Sequence, residues 1–177
     1  DEEKRKEFLE NLKKIPEKNQ VFVDETGIND NEIPAYGWNY SGVKSPGLTR
    51  GKKWERLSIA GLCRENKIAG SFLLPGGFNG AAFIEFIKLS LPPNLKRDDV
   101  VIMDNAKIHK SAEVRELIET AGFKLIFQPP YSPDLNPIEH LWSPLKARIR
   151  KKLEESILQE RGNLFEIATE VLKMKVA

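Results

Sequence analysis

Three carboxylates in this chain stand where they could act together. Asp24 closes the apolar run Val21-Phe22-Val23, and Asp104 closes Val100-Val101-Ile102-Met103. Both runs read as buried strands, and the strand ends of an α/β sheet are where sites gather. If the two strands are neighbours, the carboxylates lie side by side. Glu139 follows the segment Gln128-Pro129-Pro130-Tyr131-Ser132-Pro133-Asp134-Leu135-Asn136-Pro137, whose four prolines stiffen the approach to a helix. Such rigidity places whatever follows at low entropic cost. Glu139 falls in the first turn of that helix and could face the aspartates. Three acids gathered in this way would repel one another without a metal, and Mg²⁺ prefers oxygen ligands.

Each acid also has a local explanation. Asn136, Pro137 and Glu139 match a helix start in which the Glu bonds back to the cap residue. Asp24 and Asp104 each suit a side-chain turn at a strand end. Glu25 is the poorer candidate beside Asp24, because adjacent strand residues point to opposite faces. Asp98 and Asp99 precede their strand and belong to the far edge of the sheet.

The elements that must hold these acids follow from the apolar pattern. Residues 2–15 carry Phe8, Leu9, Leu12 and Ile15 at helical spacing, closed by Pro16. After the strand at 21–24, Ala35 to Tyr40 reads as a second extended piece, and 41–53 as an exposed loop. Leu57, Ile59, Gly61 and Cys63 alternate, as do Ile68, Gly70, Phe72 and Leu74, with Glu65-Asn66 as the turn of a hairpin. Asn79 is placed to cap a helix carrying Phe83, Phe86, Ile87 and Leu91, which Pro92-Pro93 should end. The strand 100–103 is continuously apolar, as expected where both sheet faces are covered. Ser111 can cap a helix through Val114, Leu117 and Ile118, ended by Gly122. Phe123 to Phe127 reads as another buried strand. Ile138, Leu141, Trp142, Leu145, Ile149 and Leu153 form one side of the next helix, and the final helix starts near Asn163. Antiparallel strands followed by βαβ units predict a mixed α/β sheet with helices on both faces.

Composition bounds the class. The chain has 177 residues, 40% hydrophobic and 31% charged, which suits one domain with a single core. With 28 basic and 26 acidic side chains the net charge is +2, so any nucleic-acid signal lies in its distribution. No apolar run approaches the ~20 residues of a membrane span, and no signal peptide opens the chain. The single Cys63 cannot form an internal disulfide, which fits a reducing, cytoplasmic setting.

Three segments, in order, carry a family resemblance. They are Val23-Asp24-Glu25-Thr26-Gly27, Met103-Asp104-Asn105-Ala106-Lys107-Ile108-His109, and Pro129-Pro130-Tyr131-Ser132-Pro133-Asp134-Leu135-Asn136-Pro137-Ile138-Glu139-His140-Leu141-Trp142. Together they resemble the catalytic domain of DDE transposases of the mariner-like superfamily, in particular the bacterial insertion-sequence branch. The 34 residues between Asp104 and Glu139 match the branch whose third acid is Glu. The resemblance implies an RNase H-like fold, here a mixed five-stranded sheet over residues 18–177. It implies a catalytic triad of Asp24, Asp104 and Glu139, with two Mg²⁺ ions and Mn²⁺ as a substitute. Two ions ~3.5–4 Å apart can generate the nucleophile, neutralise charge at phosphorus and support the leaving oxygen. By analogy Asp24 bridges both ions, and Asp104 and Glu139 hold one each. The implied reaction is cleavage at transposon ends followed by strand transfer into target DNA, by a homo-oligomer associated with a prokaryotic nucleoid.

Basic side chains suggest where DNA would lie. Lys44, Arg50, Lys52, Lys53 and Arg56 share a loop with one acid, Glu55, and five basic residues fall in 146–152. On the helix wheel Glu139, Ser143, Lys146 and Arg150 form a stripe beside the core side, suited to phosphates or to plain solvent. Trp38, Tyr40 and Trp54 could stack on bases or pack in the core. Lys107 and Asn105 are further DNA candidates. His109 and His140 could orient a carboxylate or phosphate, or serve as structural hydrogen-bonding groups, and zinc is rejected for want of ligands. Asp134 reads as a shaper of the proline loop. Residues 1–17 read as a linker helix from a missing N-terminal DNA-binding region. Two rival readings are a transposase-derived DNA-binding module without catalysis and a host nuclease of RNase H-like fold.

Overall fold

The computed structural model describes residues 2–32, 55–158 and 163–173. Helix α1 (Glu2–Lys13) precedes strands β1 (Gln20–Asn29), β2 (Arg56–Arg64) and β3 (Lys67–Pro75). Then come α2 (Gly80–Asn94), β4 (Val100–Met103), α3 (Ala112–Thr120), β5 (Lys124–Phe127), α4 (Glu139–Leu158) and α5 (Leu164–Lys173). The five strands form one sheet in the order β3-β2-β1-β4-β5. The pairs β1/β2 and β2/β3 are antiparallel, and β1/β4 and β4/β5 are parallel. This is the mixed α/β sheet expected, with helices on both faces. The extended piece at 35–40 lies outside the described residues, as do Trp38, Tyr40, Trp54 and the loop cations Lys44, Arg50, Lys52 and Lys53.

Strand alternation sorts the core into two layers. Phe22, Leu57, Ile59, Cys63 and Ile102 face one side, against Ile138, Trp142, Leu145, Ile149 and Leu153 of α4, with α1 and α5 adding Phe8, Leu164 and Ile167. Val21, Val23, Ala60, Leu62, Val101 and Met103 face the other, against Phe83, Phe86, Ile87 and Leu91 of α2 and Val114 and Ile118 of α3. The helix wheel for α4 is therefore correct, with Leu141 at its half-buried margin. Strand β2 is buried on both faces, because β1 and β3 flank it and helices cover both sides.

Local signals hold in detail. Glu65 and Asn66 take positive φ, 49° and 57°, as a two-residue hairpin turn requires. Asn79 accepts the Ala82 N–H at 2.9 Å and Ser111 the Val114 N–H at 3.3 Å, so both caps form. At α5, Asn163 Oδ1 accepts the Glu166 N–H at 2.9 Å, and Glu166 accepts the Asn163 N–H at 3.3 Å.

Three expectations change. Strand β1 does not end at Asp24 but continues to Asn29, because β2 pairs with it to the end while β4 pairs with it only as far as Val23. Helix α2 runs through Pro92 and Pro93 to Asn94, since a proline keeps a helical φ in the last turn. Strand β5 is an edge strand and only half-buried.

One ion pair ties the far end of the sheet. Arg64 donates to both oxygens of Asp99, at 2.8 and 2.5 Å, and also to the carbonyls of Lys18 and Asn94. Burial alone would raise the Asp99 carboxyl, but bonds from Arg64 and the Lys96 N–H outweigh it and hold it below the usual range. The pair's contribution is therefore present above the unfolded carboxylate value and lost as pH falls through the lower folded value. Replacing Arg64 with Ala leaves Asp99 buried and unmatched, and should cost about 3–5 kcal/mol in urea unfolding at neutral pH.

Candidate active site

The β1/β4 register ends at the pair Val23↔Met103. Asp24 and Asp104 are the next residues on these neighbouring parallel strands, and both continue the face that α4 covers. They line one cleft of about 430 Å³ with Glu139, Asn105, Lys110, Asn136 and the proline loop. The structure thus brings the three predicted acids to one space, from two strand positions and a helix start.

Each aspartate is held by its own set of partners. Asp24 is only 8% exposed, and its Oδ1 accepts the Glu25 N–H at 2.8 Å. Its Oδ2 accepts from Asn136 Nδ2 at 3.1 Å and Trp142 Nε1 at 3.4 Å. Burial above all, with the charges of Glu139 and Glu25, pushes its carboxyl up to about 7, against the pull of its hydrogen bonds. Asp104 is more open. Its Oδ1 accepts the Ala106 N–H at 2.8 Å, forming the local turn, and meets His109 Nδ1 at 2.5 Å.

His109 belongs to a chain of three groups. Its ring is 1% exposed, lies against Phe83 with centroids 4.5 Å apart, and places Nε2 3.0 Å from Glu25. Burial would lower its basicity, but Asp104 and Glu25 outweigh it and raise the imidazole to about 9. At neutral pH it is an imidazolium braced between two carboxylates, and the same contact holds the Asp104 carboxyl below its usual range. Glu25 does point to the opposite face from Asp24, as strand geometry dictates, yet it reaches the site through His109. The alternation that set Glu25 aside gave no sign of this route.

The helix-start alternative for Glu139 fails in a specific way. Asn136 spends its amide on Asp24, and its Oδ1 is buried with no hydrogen-bond partner. The α4 start rests on backbone bonds, from Glu139 N to Asn136 O at 3.2 Å and from Leu141 N and Trp142 N to Ile138 O at 2.9 and 3.2 Å. Glu139 itself is exposed on the cleft.

Other predicted residues sort differently. Lys107 is exposed on the turn beside the cleft, and the cation that lines the cleft is Lys110, which the sequence reading did not single out. Arg150 is bound to Glu32 at 2.5 Å and Lys152 to Glu170, so part of the basic run on α4 is already matched by acids. Lys146 is half-buried, and His140 is exposed outside the acid cleft, lining a separate groove with Pro137 and Gln20. Asp134, read as a shaper of the proline loop, is bound to α1 instead: Arg5 donates to its two oxygens at 2.5 and 3.0 Å.

The donor set fits a hard divalent cation. All candidate ligands are oxygens, from Asp24, Asp104, Glu139 and the partnerless Asn136 Oδ1, the set Mg²⁺ and Mn²⁺ favour. A cation would also offset the burial and the neighbouring acids that raise Asp24. Among the described residues no three His, Cys, Asp or Glu side chains are gathered closely enough to close on one ion. The cleft holds the three acids around one space, each on its own partners.

Comparison with known proteins places this geometry. A family profile described as DDE superfamily endonuclease matches residues 19–159. An insertion element IS630 39 kDa protein of Shigella sonnei is 30% identical over 132 residues, covering 73% of this chain and 38% of its own length. The transposable element Tc1 transposase of Caenorhabditis elegans is 36% identical over 83 residues, covering 47% of this chain and 30% of its own. The chain thus spans well under half of these relatives. Among solved structures, the Mos1 strand transfer complex superposes with a TM-score of 0.64 at 17% identity, over 97% of this chain and 56% of that one. The Mos1 transposase catalytic domain with Raltegravir and Mg matches at 0.53 and 18%, over 97% and 77%. These likenesses establish the RNase H-like fold.

Proposed function

The chain belongs to the DDE superfamily of endonucleases, and from that membership we propose that it is the DNA-cutting and strand-transferring core of a transposase. The observation that carries this reading is the placement of Asp24 and Asp104 one step beyond the last β1/β4 pair, with Glu139 on the same cleft.

Asp24, Asp104 and Glu139 would hold two Mg²⁺ ions. When bound, these ions supply charge neutralisation at phosphorus and an activated nucleophile. The chain's own residues do the positioning. Asn136 and Trp142 fix Asp24 on one side, while His109 and Glu25 fix Asp104 on the other. Lys110 sets a positive charge at the cleft for a phosphate oxygen. Water adds to the phosphorus, the P–O3′ bond breaks, and the 3′ oxygen leaves as a free hydroxyl. That hydroxyl then attacks a phosphorus of target DNA in the same cleft, forming a new P–O3′ bond as the target strand's own P–O3′ bond breaks and its 3′ oxygen leaves as a hydroxyl. Transposon-end DNA, target DNA and a second copy of the chain are the proposed partners, and Mg²⁺ the proposed cofactor. Among the described residues no helix is long and apolar enough to cross a membrane.

The test is a cleavage assay on a supercoiled plasmid carrying the element's ends. The expected result is nicked and linear product cut at those ends, dependent on Mg²⁺ and abolished by EDTA. Plasmid left intact across Mg²⁺ and Mn²⁺ concentrations would contradict the proposal.

A further inference from the structure

Tyr131 stands out among the residues around the acids. It is fully exposed, at 101%, although it lines the same cleft as Asp24, Asp104 and Glu139. Its φ is +55°, in the left-handed region that favours glycine. Folding gains nothing from an aromatic ring left in water on a backbone that a glycine would adopt more easily.

The loop that shows this ring is pinned on every side. Gln128 N–H donates to Met103 O at 2.8 Å, and Asn105 Nδ2 donates to Gln128 O at 2.5 Å. The buried Gln128 side chain reaches forward to Leu135 O at 3.1 Å. Ser132, directly after the tyrosine, is buried and donates to Pro130 O at 3.2 Å, while Arg5 donates to its Oγ at 2.8 Å. Pro129, Pro130 and Pro133 remove further freedom. The ring is therefore held out by a rigid frame beside the acids.

A rigid, exposed aromatic ring suits a flat partner. Bases inside a duplex are already stacked on both faces, so a protein ring can only cover a base at a strand end or one turned out of the helix. Cutting a strand creates such an end beside the acids. We infer that Tyr131 is a substrate-contact residue that stacks on the unpaired base flanking the phosphate being cut. This rests on the nuclease reading above and adds to it the element that seats the cleaved end.

The test uses the full chain with element-end DNA carrying 2-aminopurine at the nucleotide flanking the cut. Binding is read as fluorescence quenching in Ca²⁺ and cleavage as product formed in Mg²⁺. Tyr131→Phe should keep both. Tyr131→Gly keeps the backbone conformation and removes the ring, so it should fold at least as well as wild type. It should also lose the quenching and roughly 10- to 100-fold of the cleavage rate, the scale of one base–aromatic stack. Tyr131→Gly that quenches and cuts like wild type would overturn the inference. A wild type that quenches, with the glycine variant failing to, but never cuts would sink the nuclease reading and leave the stacking contact supported.

Discussion

Asp104→Asn should lower Mg²⁺-dependent cleavage of element-end DNA by roughly 10³-fold or more while the chain stays folded. A metal ion stabilises transition-state charge by several kcal/mol, and each ~1.4 kcal/mol is tenfold in rate, so a displaced ion alone accounts for that loss. The stability loss should be smaller, about 1–3 kcal/mol. Asp104 is about half exposed, and the amide can still accept the Ala106 N–H and the His109 Nδ1–H. It no longer faces the buried imidazolium with a charge, which leaves Glu25 to do so alone. Single-turnover cleavage beside thermal unfolding of the same preparation checks both halves. A variant that cuts at the wild-type rate would remove Asp104 from the chemistry.

Trp142→Ala should have a large effect on stability. The indole is 3% exposed in the core layer between α4 and the sheet, and it packs directly over Gly61. A Cβ built at Gly61 would stand 2.6 Å from Trp142 Cη2, so β2 leaves its side chain out there to admit the ring. Emptying that space should cost about 3–5 kcal/mol. For a chain of this size the melting temperature should fall by roughly 10 °C. The same substitution removes the Nε1–H that Asp24 accepts, so activity should fall further than the folded fraction does. Trp142→Phe separates the two effects, because it restores most of the packing and none of the hydrogen bond. Equal stability of Trp142→Ala and wild type in urea would contradict this packing account.

Much of the fold was legible because its signals are local. Apolar alternation marked the β2–β3 hairpin, Asn79 and Ser111 marked helix starts, and the spacing of Ile138, Trp142, Leu145, Ile149 and Leu153 marked the buried side of α4. What escaped depends on pairing across the sheet. Nothing near Asp24 signals that β2 carries β1 on to Asn29, and nothing in Pro92-Pro93 signals that α2 lasts one more residue. The convergence of the acids was legible from motif and spacing, and so was His109, five residues past Asp104, as a group that could orient a carboxylate. Their distant partners were not: the bonds from Asn136 to Asp24, from His109 to Glu25 and from Arg5 to Asp134 join positions far apart in the chain. Asn136 is instructive, because its local pattern promised a cap and its tertiary position gave it a carboxylate instead. Arg150 shows the reverse lesson: the wheel placed it on a stripe suited to phosphates, and Glu32 occupies it.

The central claim is that Asp24, Asp104 and Glu139 share a divalent cation. Anomalous diffraction from crystals of the chain soaked in Mn²⁺ tests it most directly. The expected result is a peak about 2.0–2.3 Å from carboxylate oxygens of Asp24 and Asp104, on the side of the cleft that Glu139 lines, and lost in Asp104→Asn crystals. Saturating Mn²⁺ with no peak among these three side chains would contradict the account.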